Sequence, residues 1–302
     1  ELTFPIYTPH TIKFLDCTHP DGRRTYSRSL SFVLQKAAVD MFPDLQLFLD
    51  YTLPNGLYGE LRRPVDGEAF VTEPAGADKV GTLRKRMEEI IRADLPFEKT
   101  KMTNDEAAAL FRRNGRSEKA ALVADMDKFF VSVYLLDGYA DTFYGPLLER
   151  PGQIDVFDLI PYGEGFCLQA PSASDPSVIS PYKYQDKLSA VFKENSEWCA
   201  ILGAHGIGSV NESVKKGQAR ELIAVAESLH ERKYVKIADM IHDRRDKVRL
   251  VLIAGPSSSG KTTTSKRIAL QCKVLGLNPL VIAMDDYFLN REKTPRDANG
   301  EY

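Results

Sequence analysis

Between Gly255 and Thr262 the chain reads Gly-Pro-Ser-Ser-Ser-Gly-Lys-Thr, and no other stretch restricts its folding as tightly. Two glycines bracket four residues and a Lys-Thr pair follows, the spacing of a phosphate-binding loop. Such a loop works through its backbone. N–H groups from Ser257, Ser258, Ser259, Gly260 and Lys261 can turn inward around the phosphates of a nucleotide. Little bulk at Gly255 and Gly260 lets the backbone come that close. Lys261 adds a cation for the same oxygens, Thr262 offers a hydroxyl to Mg²⁺, and Thr263 continues the helix whose positive end faces the anion. The flanks suit it. Val248 to Ala254 is a short apolar run with the pattern of a buried strand. An amphipathic helix follows (Ile268, Leu270, Cys272, Leu275), then Gly276, then a second apolar run from Pro279 to Met284. A β-α-β unit is predicted. The competing reading is a serine-rich turn that binds nothing.

At 302 residues, more than one domain is expected. A net charge of -2 excludes a whole-chain nucleic-acid signature and leaves room for a local basic face. Cys17, Cys167, Cys199 and Cys272 lie far apart with no C-x-x-C pair, which suits a reducing cytosol rather than a disulfide framework. No apolar run is long enough to span a membrane, and no signal-peptide pattern opens the chain. A cytoplasmic protein is expected. The chain opens at Glu1 without a methionine and stops at Tyr302 early in the nucleotide-binding segment, so a fragment of something longer is also expected.

Along the chain, residues 1–24 form an N-terminal segment with a strand-like run, Thr11 to Leu15, and a turn at Pro20-Asp-Gly22. Cys17 and His19 read as a chance surface pair. Residues 25–200 read as an α+β domain with an antiparallel sheet. It contains helices over Leu30–Phe42, Leu83–Leu95 and Glu106–Arg112, the last opened by a capping box at Thr103-Asn-Asp-Glu106. Strands are predicted over Leu45–Tyr51 and Leu57–Arg62, joined at Pro54-Asn-Gly56, and over Phe129–Leu136, Ile154–Ile160 and Gly165–Ala170, the last two joined by a turn around Pro161. Residues 64–79 read as a loop. Residues 201–247 read as a linker and a bridging helix from Asn211 to His242, with Gly217 near its start. Residues 248–302 read as the beginning of an α/β domain of the phosphate-loop NTPase class.

Several stretches of the first domain carry a resemblance. Leu83-Arg-Lys-Arg-Met87, Glu89-Ile-Ile-Arg-Ala-Asp-Leu-Pro-Phe97, Asp105-Glu-Ala107 with Leu110-Phe111, and Tyr144-Gly-Pro146 with Gly152 resemble the second N-terminal domain of threonyl-tRNA synthetase, over roughly residues 10–170. That family edits mischarged tRNA with an H-x-x-x-H pair and a C-x-x-x-H pair. Histidines four apart share one helix face, which suits a metal or a polar reaction site. Here the matching positions are Arg28 and Phe32 for the first pair, Phe143 and Leu147 for the second. The resemblance therefore implies the fold without the editing chemistry, and no zinc is expected.

Downstream, Met284-Asp-Asp-Tyr-Phe288 places carboxylates at the end of the second apolar run, where α/β folds bind ligands. With the glycine-bounded loop, this stretch is similar to the uridine kinase and phosphoribulokinase family. The resemblance implies that Asp285 activates the acceptor hydroxyl, that Asp286 serves Mg²⁺ through water or caps the next segment, and that Tyr287 and Phe288 lie near an acceptor nucleoside. Thr294 to Tyr302 departs from the family's substrate loop, so a sugar phosphate or pantothenate stays open as acceptor.

The expected function is a phosphotransferase: ATP and Mg²⁺ as cofactors, a nucleoside (uridine first) or similar small alcohol as substrate, Asp285 and Lys261 as catalytic residues. A lid arginine and a second Mg²⁺ carboxylate are expected beyond Tyr302, so the chain alone is expected to be inactive. The alternative is a protein that binds RNA or an amino acid through its synthetase-like part, tRNA among the candidates, with the phosphate loop as a nucleotide-gated switch and no kinase activity.

Overall fold

In the computed structural model, residues 5, 7–65, 70–289 and 291–301 are described. Two compact units divide the chain, residues 1–216 and 217–302.

The first unit is built around one helix. Helix α1 (Pro20–Met41) is buried on nearly every side from Ser29 to Ala38, the mark of a helix enclosed by other elements. It begins ten residues before the predicted Leu30. Pro20 sits at the first helical position, where the lost N–H costs nothing, and the His19 ring nitrogen accepts the Asp21 amide as the cap. His19 thus has a structural role that the pairing with Cys17 concealed.

Strands β1 (Gln46–Leu53) and β2 (Gly56–Pro64) form the hairpin turning at Pro54–Gly56. The second β2 edge pairs with β3 (Phe70–Glu73) at one end and with β8 (Gly165–Gln169) at the other; β8 pairs in turn with β7 (Asp158–Tyr162). All pairings in this five-stranded sheet are antiparallel. A second antiparallel sheet runs β4 (Glu98–Thr103), β5 (Phe130–Leu136), β6 (Tyr139–Thr142). Helix α2 (Ala77–Ala93) lies against α1. Helix α3 (Asn104–Arg113) starts at the predicted Thr103–Glu106 capping box, and α4 (Ser117–Ala124) follows it. Leu30, Val33 and Leu34 of α1 join Leu61, Leu83, Met87 and Phe166 in the main core. Each such side chain stabilises the fold by about 1.5–3 kcal/mol relative to exposure. Helices α5 (Asp186–Ile201) and α6 (Ile207–Lys215) end this unit.

Three local expectations change. Thr11–Leu15 is not a strand: it has no ladder partner, and Ile12 and Phe14 are exposed. The predicted loop over 64–79, of which 66–69 lie outside the described residues, contains β3 and the start of α2. Pro161 lies within β7, and the turn falls at Gly163, whose φ of 57° suits glycine.

The second unit contains helix α7 (Ala219–His242), separated from α6 around Gly217 (φ 77°), and α8 (Lys261–Val274). They pack through Ala238, Ile268 and Cys272, with Tyr234, Ile237 and Leu275 at the edge. The β-α-β unit expected here does not form among the described residues. Residues 248–254 and 279–283 pair with no other strand, and Leu252 and Leu280 are 80% and 83% exposed. The physical reason is the ladder. A strand is held by its neighbour's N–H and C=O groups, and apolarity alone supplies neither. The observed class is therefore α+β with antiparallel sheets, and the parallel α/β domain of the sequence reading is not seen.

Candidate functional site

A cleft of about 850 Å³ opens in the first unit along one stripe of α1. Pro20, Arg23, Arg24, Ser27, Arg28, Ser31 and Gln35 recur at helical spacing and line one side. The floor is apolar, with Leu30, Leu49, Leu57 and Phe143. The opposite wall is the hairpin turn around Asn55 and the segment from Ala170 to Ser180. These two are tied together. Buried Gln169 donates its amide to the carbonyls of Asn55 (3.1 Å) and Ser180 (3.2 Å), and the Asn55 side chain donates to the carbonyl of Pro181 (3.1 Å).

Charge in this cleft has one sign. Three arginines line it and no Asp or Glu does. Arg24 is paired with Asp21 at 3.1 Å on the helix surface. Arg23 and Arg28 have no carboxylate partner among the described residues. Arg23 reaches only the Thr18 carbonyl, at 3.5 Å. Arg28 donates to the carbonyls of Pro146 (3.1 Å) and Tyr144 (3.2 Å) and to the Thr25 hydroxyl (3.3 Å). Carbonyls orient a guanidinium without neutralising it.

The four positions matched to the editing pairs come together and form a plug. Phe32, fully buried, meets Phe143 edge-on at 5.2 Å and also packs against Phe97 (5.6 Å) and Tyr139 (5.9 Å). Leu147 and Phe143 lean on the same core. Arg28 clamps the loop that carries them, and Ser29 helps by accepting the Leu148 amide at 2.8 Å. The clamp needs a glycine: Gly145 has φ of 137°, and a Cβ there would sit 2.7 Å from the Arg28 guanidinium. None of these side chains is a metal ligand or a general base. Among the described residues, no group of three or more His, Cys, Asp or Glu could hold a metal ion.

Beside the plug runs a polar chain that sequence reading missed. Arg116 bonds Asp141 (3.0 Å) and the Tyr139 hydroxyl (3.0 Å), and Lys119 also contacts Asp141, which is buried. Burial works against the Arg116 charge, yet Asp141 outweighs it and the guanidinium is held more firmly protonated than usual. For Lys119 burial wins, and its ammonium is pulled below the usual range in spite of Asp141. Residues 116, 119, 139 and 141 meet only because α4 and β6 are neighbours in space, a relation no local pattern announces.

In the second unit, the glycine-bounded loop contains two residues at positive φ. Ser258 (φ 59°) and Gly260 (φ 82°) both take the left-handed conformation. Gly255 is tight: a Cβ there would lie 2.6 Å from Ser259 Oγ. The Lys261 ammonium donates to the Pro256 carbonyl at 2.8 Å, folded back over the loop. Ser257 and Thr263 are exposed, and Thr262 lies in the first turn of α8. Asp285, Asp286 and Tyr287 fall on a short 3₁₀ turn, Met284–Tyr287, with Phe288 just after it. All four are exposed. No hydrogen bond or ion pair among the described residues links this turn to the loop.

No family model matches the chain. Curated relatives do. It is 29% identical over 160 residues to a threonine–tRNA ligase of Syntrophotalea carbinolica, covering 53% of this chain and 24% of the ligase. It is 26% identical over 160 residues to the enzyme of the same name from Halorhodospira halophila, again 53% and 24%. A third, from Nitratidesulfovibrio vulgaris, is 27% identical over 150 residues, covering 50% and 22%. About half of this chain is homologous to threonine–tRNA ligases. The chain spans about a quarter of the length of those relatives.

These relatives correct the functional expectation. They are ligases, not nucleoside phosphotransferases, and nothing in the comparisons or the fold shows a uridine-kinase or phosphoribulokinase domain. The kinase assignment, with uridine as substrate and Asp285 activating its hydroxyl, is withdrawn. Its structural premise fails as well, since the strand that was to present Asp285 is unpaired. The alternative built on the synthetase-like unit fits the relatives better. No helix among the described residues is long and apolar enough to cross a membrane.

Proposed function

We propose that the first unit binds the acceptor end of a tRNA in its arginine-rimmed cleft without hydrolysing the ester there, and that the second unit's loop binds ATP with Mg²⁺ as a gating ligand. The observation that carries this reading is the cleft itself: three arginines, an apolar floor and no lining carboxylate. Phosphates suit the rim and a base or aminoacyl group suits the floor. The chain's net charge is -2, so this positive field is local to the cleft and not a property of the whole surface. Ligase homology over half the chain supports tRNA as the nucleic acid.

Hydrolysis needs a group to activate water. Arg28, Phe32, Phe143 and Leu147 offer none, which supports binding without turnover. In the second unit, the left-handed turns at Ser258 and Gly260 and the tight Gly255 fit a polyphosphate. ATP supplies the negative charge that the amides of Ser257, Ser258, Ser259, Gly260 and Thr263 and the Lys261 ammonium would neutralise. Thr262 and Asp286 have the oxygen donors for Mg²⁺.

Binding of labelled tRNA, titrated between about 50 and 200 mM salt, tests the cleft. Replacing both Arg23 and Arg24 by Ala should weaken binding about tenfold and flatten the log–log salt slope by about 1.5–2. An unchanged slope overturns the cleft reading. Mg²⁺-ATP should shift the tRNA affinity of the wild type and leave that of Lys261→Ala where it was. Equal shifts in both would remove the gating role.

A further inference from the structure

Gln35 lies on the cleft stripe of α1, one turn past Ser31. A side-chain amide can be placed either way round, and here the neighbours decide. Arg116 Nη1 is 3.0 Å from the Tyr139 oxygen. A guanidinium has only protons to give, so that oxygen accepts. The phenol's single proton then goes to Gln35 Oε1, 3.2 Å away. Arg116 cannot readily swing aside, because Nη2 is held by Asp141 at 3.0 Å and Nη1 also donates to the Ala140 carbonyl at 3.2 Å. Burial raises the Tyr139 phenol above its ordinary range, which keeps the proton in place. The chain of donors therefore runs one way, from Arg116 through Tyr139 to the Gln35 carbonyl. The Gln35 amide nitrogen is left over, with no acceptor among the described residues.

The geometry points to Gln35 as the residue that reads the nucleobase of the cleft's ligand, donating to an uncharged acceptor on the base edge. This rests on the cleft being a site for the end of a nucleic acid. Phosphates are better served by the arginines, whose charge a neutral amide cannot match. A base edge is different. It offers ring nitrogens and carbonyls without charge, and its face suits the apolar floor at Phe143 and Leu57. A donor whose orientation is fixed rejects a base that presents another donor or a C–H at that point, because the amide is then desolvated without a partner.

The experiment uses the full chain and AMP, the nucleotide at the tRNA 3′ end, alongside its 1-, 3- and 7-deaza analogues, each with one ring nitrogen replaced by C–H. The wild type should bind one analogue about tenfold more weakly than AMP. Gln35→Leu should lose about the same factor toward AMP and no longer tell that analogue from AMP. Tyr139→Phe, which removes the proton that orients the amide, should narrow the discrimination severalfold even though Gln35 is still present. That last change is one a purely structural glutamine would not produce. If Arg23→Ala weakens AMP binding while Gln35→Leu binds AMP and all three analogues as the wild type does, the Gln35 assignment is overturned and the cleft reading stands. If the wild type binds no AMP and Arg23→Ala leaves tRNA binding unchanged, the cleft reading falls and takes Gln35 with it.

Discussion

Strand β5 of the first unit and residues 248–254 of the second are similar apolar runs, Phe-Val-Ser-Val-Tyr-Leu-Leu against Val-Arg-Leu-Val-Leu-Ile-Ala. One is a strand and the other is not. β5 is paired on both edges, by β4 and β6, and Val133 is fully buried. Residues 248–254 have no strand partner among the described residues, and Leu250 and Leu252 face solvent. The difference teaches that an apolar run is a demand for neighbours and not a guarantee of them. In the first unit β4 meets that demand although its own sequence, Glu-Lys-Thr-Lys-Met-Thr, looks nothing like a core strand.

The comparison can be broken first by hydrogen exchange. Amides of Val131 to Leu136 should be protected on the order of 10⁴ more strongly than those of Arg249 to Ile253. Comparable protection in both would show that the second run has found a ladder. Next in size is Phe32→Ala. Emptying the plug should cost about 3–5 kcal/mol in denaturant unfolding of the first unit and leave exchange in α7 and α8 unchanged. A matching loss in those helices would show that the two units do not fold independently. The smallest effect is expected from Lys261→Ala. It should weaken nucleotide binding about ten- to a hundredfold by equilibrium titration, with the first unit's exchange pattern intact. A disturbed pattern there would again erase the division between the units.

What could be read in advance follows the same line. Features carried by neighbouring residues were legible: the Pro54–Gly56 hairpin, the Thr103–Glu106 capping box, the break at Gly217. The first ten residues of α1 were not, because Pro20-Asp-Gly22 has turn chemistry and only the His19 cap and the enclosing sheets make it a helix start. That Arg28, Phe32, Phe143 and Leu147 offer no histidine or cysteine is plain from the sequence. The plug they form, and the cleft beside it, were not, since Arg23, Asn55, Phe143 and Ser174 come from segments far apart in the chain. The function expected from the second unit went beyond its motif: the spacing at Gly255–Thr262 is a pattern associated with phosphate binding and says nothing of what is done with a bound phosphate.

The filled plug also makes this part of the domain hard to turn polar. Placing a histidine at Phe32 alone would bury an imidazole against Phe97, Tyr139 and Phe143 with no assured partner, at a cost of about 1–3 kcal/mol for the unpaired polar group, besides the space left behind. Placing one at Arg28 would release the carbonyls of Tyr144 and Pro146 and the loop they anchor. No single substitution of this kind is neutral, because the packing or the clamp it disrupts is lost at once. Turning the plug into a polar site would therefore take several changes made together.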